Sequence, residues 1–205
     1  MTTRLAMFPL GLVVLPGAVV PLHVFEPRYR ALVASLLATD GPMEFGIPPI
    51  VRGSEVGGGD VRGEVATVVR VLDLRVLEDG RYEMVVAGTR RVGISRWLPD
   101  EPYPQAEVEP HEDESESIDG AEVAARQERV SSVLDRMRRI GDRVPTEVPP
   151  LDGDLSVRVF QLGVVAPIGD LDRLAMLITR SPGERLRMLD QALDDVEAVL
   201  DFRES

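Results

Sequence analysis

The hydrophobic period of this 205-residue chain changes once, at a short acidic segment. Up to about residue 110 the apolar residues form short runs interrupted by Gly and Pro, which is typical of strands joined by turns. After residue 120 they recur at intervals of three and four, which indicates amphipathic helices. Residues 111–120 contain five acids and one large apolar residue, Ile118, and therefore predict a linker. We expect an α+β chain with a β-rich domain over 1–110, a linker over 111–120 and a helical bundle over 121–205.

Local signals place the elements of the β-rich domain. The strongest is Asp79-Gly80 between two β-branched runs, a pair of residues that favours a hairpin turn. Pro27 stands where the first residue of a helix over 28–38 is expected. Residues 53–63, with Gly57-Gly58-Gly59, predict a flexible loop, since no dinucleotide-binding GxGxxG spacing is present. The predicted strands are Val13–Leu15, Val19–Phe25, Phe45–Val51 (bent by two prolines), Val65–Leu77, Tyr82–Ile94 and Ala106–Glu109.

Caps and terminators delimit about four helices in the second half. The first has an apolar face that includes Val130 and Leu134, and Gly141 ends it. Asp154 and Asp170 are expected to cap helices over 155–165 and 171–179. Ser181-Pro182-Gly183-Glu184 has the spacing of a capping box, and leucines recur at helical intervals after it.

The amino-acid composition removes whole classes of chemistry. All 23 basic residues are Arg, and the chain contains no Lys, Cys or Asn. Without Lys there is no P-loop of the GxxxxGK[ST] type, no Ser–Lys peptidase dyad and no Schiff base. Without Cys there is no thiol nucleophile, disulfide or thiolate metal site. The sequence therefore predicts a protein with little catalytic equipment.

No other motif predicts a catalytic, metal or cofactor site. The two histidines, His23 and His111, lack the spacing of a metal site, and no GxSxG nucleophile elbow occurs. We expect no metal and no cofactor. A hydrolase that uses a carboxylate pair stays open, because 35 acidic residues always allow some pairs to meet in space.

Net charge and the N-terminal segment bear on partners and location. A net charge of −12 repels nucleic acid, so Arg90-Arg91 beside Arg96 and Trp97 is more simply a solvated strand end than an RNA-binding patch. Residues 5–25 carry no Asp, Glu or Arg, but three prolines in them break any signal or membrane helix. We expect a cytoplasmic protein that binds no membrane.

Several stretches together resemble the N-terminal domain of Lon proteases. No single stretch is specific, but their combination covers nearly the whole chain. The matching residues are Met7–Leu10, Val13–Gly17 and Val20–Arg30 near the start, Leu77–Tyr82 and Val85–Val92 in the hairpin, and Val144–Val148 before the later helices.

The resemblance implies a fold and a function. In Lon this region is a β-rich PUA-like pseudo-barrel followed by a small α-helical bundle, and it recruits protein substrates. The resemblance thus implies a stand-alone, non-catalytic module that binds unfolded or apolar protein segments, or a partner in the proteolysis machinery. The alternative is an RNA-binding PUA-like module, against which the net charge argues.

The candidate partner-binding residues are Glu26, Arg28, Arg30 and His23. The resemblance implicates the charged start of the first helix in substrate choice. Helix starts leave backbone N–H groups unpaired and favour a carboxylate such as Glu26, while Arg28 offers a planar donor fork. The alternative is structural: an internal ion pair with Tyr29 in the core.

Overall fold

The computed structural model describes residues 2–53 and 61–204, and the chain divides into two compact units, Met1–Glu112 and Asp113–Ser205. Within that described part, the first unit contains eight strands and one helix, and the second contains four helices. This arrangement confirms the α+β class. The predicted domain limits at 110 and 120 stay a prediction, and Gly57-Gly58-Gly59 lies outside the described residues.

The first unit is an antiparallel sheet that closes on itself. The strands follow the order β1-β8-β7-β6-β3, and β2 pairs with the first half of the long β7. A parallel bridge between Met7 and Gly46, with a 2.8 Å bond from the Phe8 N–H to the Gly46 carbonyl, joins the end of β1 to β3. This closure produces the expected pseudo-barrel. The elements are β1 (Thr3–Ala6), β2 (Val19–Val24), α1 (Pro27–Leu37), β3 (Glu44–Ile47), β4 (Ile50–Arg52), β5 (Val61–Arg62), β6 (Val65–Val76), β7 (Tyr82–Trp97) and β8 (Gln105–Pro110).

Alternating strand residues and one face of α1 form the core of this unit. The ring of Phe8 stacks on that of Tyr29 with centroids 3.9 Å apart, and the ring of Phe45 lies 6.0 Å from Phe8. Burying each such apolar side chain contributes about 1.5–3 kcal/mol, so this aromatic cluster fixes α1 on the barrel. The barrel interior is filled by Met7, Ala66, Val68, Val92, Ala106 and Val108.

Two predicted strands differ in the structure. Val13–Leu15 forms no strand, although Val14 and Leu15 are buried, and the carbonyl of Val14 accepts a 2.5 Å hydrogen bond from the Thr67 hydroxyl. The apolar run correctly indicated burial, whereas its hydrogen-bond partner is a side chain from a distant strand. The predicted strand Phe45–Val51 is split into β3 and β4, because Pro48 and Pro49 have no N–H for a ladder.

The second unit contains α2 (Gly120–Arg139), α3 (Leu155–Val165), α4 (Asp170–Ile178) and α5 (Pro182–Glu204). The Asp154 carboxylate caps α3 by accepting from the Val157 N–H, as expected. The predicted cap of α4 is wrong by one residue: Gly169 is the cap, and the Asp172 carboxylate accepts from its N–H. Asp170 is instead the first helical residue, where its charge still favours the helix dipole.

Five acidic residues of α5 form ion pairs with arginines of α2. Arg129 of α2 binds the carboxylates of Asp190, Asp194 and Glu197 on α5. The hydrogen bond to Glu197 raises the pKa of Arg129 above its usual value. One face of α5 is therefore acidic because it faces arginines of α2. The same α2 to α5 pattern includes Arg126 with Asp190 and Arg136 with Asp201 and Glu204.

Two carboxylates of the predicted linker are bound within the second unit. Glu116 accepts hydrogen bonds from the Ser181 hydroxyl at 2.6 Å and from the Gly183 N–H at 3.1 Å, and these bonds lower its pKa. Asp113 forms a salt bridge with Arg185 at 2.6 Å. These residues attach the start of the segment to α5, which the acidic composition alone did not indicate.

No helix in the described ranges 2–53 and 61–204 is long and apolar enough to cross a bilayer. Among the same residues, no group of three or more His, Asp or Glu side chains is arranged to hold a metal ion.

Candidate functional site

Strand β2 leaves one of its two edges open. Its register on β7 is unbroken, and the Gly88 N–H donates to the Ala18 carbonyl at 2.8 Å. Hydrogen-bonded pairs alternate in an antiparallel ladder. The backbone N–H and carbonyl groups of the even-numbered residues of β2 therefore point towards β7, and those of the odd-numbered residues point away from it. Among the described residues, no backbone group pairs with Val19, Pro21 or His23 on that far side. We call this side the open edge.

An apolar cavity of about 210 Å³ lies beside β2 and the start of α1, and we call it the β2 groove. Two of its large apolar side chains reach solvent: Phe25 is 51% exposed and Leu12 is 39% exposed. The stacked pair Phe8 and Tyr29 lines it as well. Exposed large apolar groups around a concave surface are typical of binding sites. Further lining residues are Pro9, Leu10, Pro21, Leu22, His23 and Glu26.

A second cavity of about 400 Å³ also involves β2, and we call it the outer cavity. It is lined by residues of β2, β7 and β6. Four of them are polar, namely His23, Asp73, Arg75 and Glu83. Arg75 and Glu83 form a long salt bridge of 3.7 Å. Because Pro21, Leu22 and His23 line both cavities, β2 separates an apolar surface from a charged one.

The predicted residues Glu26 and Arg28 bind each other. The Arg28 Nε donates to the Glu26 carboxylate at 3.0 Å, and each side chain is about four-fifths covered. The Arg28 guanidinium also lies 4.5 Å from the centre of the Tyr29 ring. Glu26 is the N-cap residue of α1, but its carboxylate accepts no hydrogen bond from the N–H groups of the helix start. The carboxylate is directed to the nearer cation instead.

The other two predicted residues both contact the region of the β6–β7 turn. The Arg30 guanidinium packs on the β6–β7 turn, where a β-carbon on Gly80 would come within 2.5 Å of its Nη2 atom. His23 is exposed on β2, with Nε2 3.2 Å from Nη1 of Arg81. His23 and Glu26 thus line the cavities around β2. Phe8, Leu12 and Phe25 were not predicted as site residues, because an apolar run does not indicate which of its members line a surface cavity.

The arginines near Trp97 do not form one patch. Arg90 lies within β7 and binds the Glu44 carboxylate at 2.8 Å, and Arg70 binds the same group at 2.9 Å. Burial of Glu44 opposes ionisation, but the hydrogen bonds from both arginines hold its pKa below the usual value. The ring of Trp97 is covered by Arg62, 4.6 Å from its centre. The arginines therefore have separate partners, since Arg90 and Arg70 bind Glu44 of β3 while Arg62 covers Trp97.

The sequence matches a known protein family. The family described as the ATP-dependent protease La (LON) substrate-binding domain matches residues 4–195, which is nearly the whole chain. The chain belongs to this family. The Lon substrate-binding domain thus accounts for both units, the pseudo-barrel and the helical bundle.

Individual relatives agree with this assignment. Lon protease 1 of Myxococcus xanthus is 25% identical over 203 residues, which include 92% of this chain and 24% of that protein. The chain spans a quarter or less of the length of each curated Lon protease that it matches.

Two solved structures share the fold. The Lon N-terminal domain protein from Xanthomonas campestris is 28% identical, with a TM-score of 0.64 over 91% of this chain and 96% of that one. The N-terminal domain of the Mycobacterium avium complex Lon protease is 21% identical, with a TM-score of 0.69 over 94% of this chain and 99% of that one. The second likeness concerns the fold alone.

Exchanging the charges of Glu26 and Arg28 distinguishes the contribution of this ion pair to stability from a contribution to partner binding in this Lon domain. We expect Glu26→Arg alone to lower the free energy of unfolding by about 1–2 kcal/mol, between the effects for exposed and buried pairs, because two cations then meet at a largely covered position. The double variant Glu26→Arg, Arg28→Glu restores the pair and is expected to recover most of the loss. Urea unfolding measures both.

The same double variant tests whether the two residues dock a partner. If they do, a stable double variant binds protein segments more weakly than the wild type. Unchanged binding would assign the pair a structural role only.

Proposed function

We propose that this Lon substrate-binding domain binds exposed apolar segments of protein substrates in the β2 groove and performs no catalysis itself. The observation that carries the proposal is the groove: a concave apolar surface whose residues Leu12 and Phe25 remain accessible to solvent. An unfolded or partly folded protein exposes apolar side chains that such a surface can cover. A native protein buries most of them, so the groove distinguishes the two states.

The chemistry of the chain supports binding rather than cleavage. With no Lys in the sequence, these residues provide neither a P-loop lysine nor a Ser–Lys dyad. The proposed partners are protein or peptide segments and other proteins of the proteolysis machinery. A net charge of −12 disfavours RNA as the ligand. A cytoplasmic location and the absence of a cofactor remain predictions from the sequence.

Glu26 and His23 belong to the proposed site at its rim. The carboxylate of Glu26 lines the groove while it holds Arg28, and His23 lies between the groove and the outer cavity. Arg28 acts through Glu26 and through the ring of Tyr29 beneath it. Arg30 contributes by positioning the β6–β7 turn.

The experiment is a matched pair of charge insertions. We expect Phe25→Asp to weaken binding of a reduced, carboxymethylated unfolded protein at least about tenfold, because buried aromatic anchors dominate such interfaces. Phe202→Asp makes the same change at a phenylalanine of α5 that is 84% exposed. It is expected to leave affinity unchanged.

Fluorescence anisotropy with the labelled unfolded protein gives the affinities, and thermal melts confirm that both variants fold. Equal affinity of Phe25→Asp and the wild type would contradict a role for the groove.

A further inference from the structure

We propose that substrate segments bind to the open edge of β2 as an added β-strand. The domain would then select extended segments with alternating apolar and polar side chains, the polar ones preferably basic. This inference rests on the proposed function, because it concerns the mode of binding at the same groove. It assigns the affinity partly to main-chain hydrogen bonds, which depend little on substrate sequence.

The backbone of β2 supplies the groups that an added strand requires. On the open edge, the N–H groups of Val19 and His23 and the carbonyls of Val19, Pro21 and His23 point away from β7. Pro21 stands where a missing N–H costs no ladder bond to β7, which is the usual place of proline in an edge strand. Two donors and three acceptors are thus presented along five residues.

The two cavities match the side-chain alternation of a strand. Leu22 and Val24 are buried towards the core, while Pro21 and His23 are exposed on the opposite face. Successive side chains of an added strand point to opposite faces, so neighbours would face the β2 groove and the outer cavity in turn. One face offers Phe8, Leu12 and other apolar groups, and the other offers charged groups.

The charge of the outer cavity favours a basic substrate. Asp73 and Glu83 line it with two carboxylates and Arg75 with one guanidinium. The guanidinium of Arg81, 3.2 Å from His23, is paired with the Asp79 carboxylate. A long basic side chain that crosses His23 reaches towards Glu83, the residue paired with His23 on β7. The net charge of the chain acts in the same direction, since it attracts basic segments and repels acidic ones.

The first experiment changes the ligand, first in its backbone and then in its side-chain charge. The probe is a capped octapeptide that alternates Leu or Val with Thr or Arg. Two isomers carry N-methyl groups on alternate nitrogens, one set on the apolar residues and the other on the polar residues. In an added strand only one set of N–H groups faces the domain, so we expect one isomer to bind at least about tenfold more weakly than the other. Replacing Arg by Glu in the probe should weaken binding severalfold at low salt.

The second experiment changes one N–H of the domain. His23→Pro removes the His23 N–H from the open edge, and His23→Ala removes the same ring while keeping that N–H. We expect His23→Pro to bind the probe about three- to tenfold more weakly than His23→Ala, which corresponds to one net hydrogen bond. If His23→Pro does not fold, the two N-methyl isomers decide the question.

The outcomes separate this inference from the proposed function. Equal affinity of the two isomers overturns strand addition, and loss of binding in Phe25→Asp would leave the groove as the site. Normal binding in Phe25→Asp overturns both. A dimer in sedimentation velocity that His23→Pro abolishes would also overturn the inference, because a second copy would then occupy the open edge.

Discussion

Asp113→Ala is expected to lower the free energy of unfolding of the helical unit by about 3–5 kcal/mol. The residue affected is Arg185, whose side chain has no exposed surface, while that of Asp113 is 22% exposed. Both guanidinium Nη atoms donate to the Asp113 carboxylate at 2.6 Å. Removing the carboxylate leaves a buried cation without its counter-charge, which is the costly case for a buried ion pair.

The remaining contacts of Arg185 cannot replace Asp113. The Thr179 carbonyl accepts from Nη1 at 2.9 Å and the Ser156 hydroxyl from Nη2 at 2.6 Å, but neither group carries a charge. The Phe160 ring lies 4.1 Å from the guanidinium carbon, and such a contact contributes about 2 kcal/mol or more at a desolvated site but supplies no counter-charge. The cation therefore stays under-compensated when Asp113 is absent.

Chemical denaturation of the full chain measures this effect. Glu114→Ala is the matched control, because it removes a neighbouring acid that is exposed. It is expected to change stability by less than about 0.5 kcal/mol. A loss below 1 kcal/mol in Asp113→Ala would show that water solvates Arg185 when the carboxylate is gone. The double variant Asp113→Leu, Arg185→Met removes both charges and should recover much of the stability.

The Arg185 site shows where sequence analysis stops. The acidic composition of residues 111–120 indicated a solvated linker, because counts of charges do not reveal a partner 72 residues away. The caps at Asp154 and Ser181 and the hairpin turn at Gly80 were predictable, since each depends on a few adjacent residues. Long-range pairing has no comparable local signal.

The candidate site likewise combines a local cluster, which could be predicted from the sequence, with a groove, which could not. Glu26, Arg28 and Tyr29 are adjacent in sequence, so their interaction was foreseen as an alternative to docking. The β2 groove includes Phe8 and Leu12 from the segment after β1, which directly follows the Met7–Gly46 bridge that closes the barrel. The short strand β1 carries no pattern that predicts this closure. The resemblance to Lon domains supplied the fold instead.

Gly88→Ala is expected to destabilise the barrel by about 1–3 kcal/mol and to weaken peptide binding at least about tenfold. A β-carbon on Gly88 would lie 2.5 Å from the Leu15 carbonyl oxygen, which is far inside van der Waals contact. Either β7 or the turn before β2 must therefore move. The Gly88 N–H donates to the Ala18 carbonyl, and the Gly17 N–H donates to the Gly88 carbonyl, so a shift breaks the bonds that place β2.

Gly93→Ala is the control for Gly88→Ala, because both glycines lie in β7. A β-carbon on Gly93 would have no neighbour closer than 3.8 Å, so this variant is expected to fold and bind as the wild type does. Urea unfolding and anisotropy with the octapeptide probe measure the two effects of each variant. If Gly88→Ala lost stability but bound the probe normally, the groove would tolerate a displaced β2. Strand addition requires the opposite result, since the open edge belongs to the strand that this turn positions.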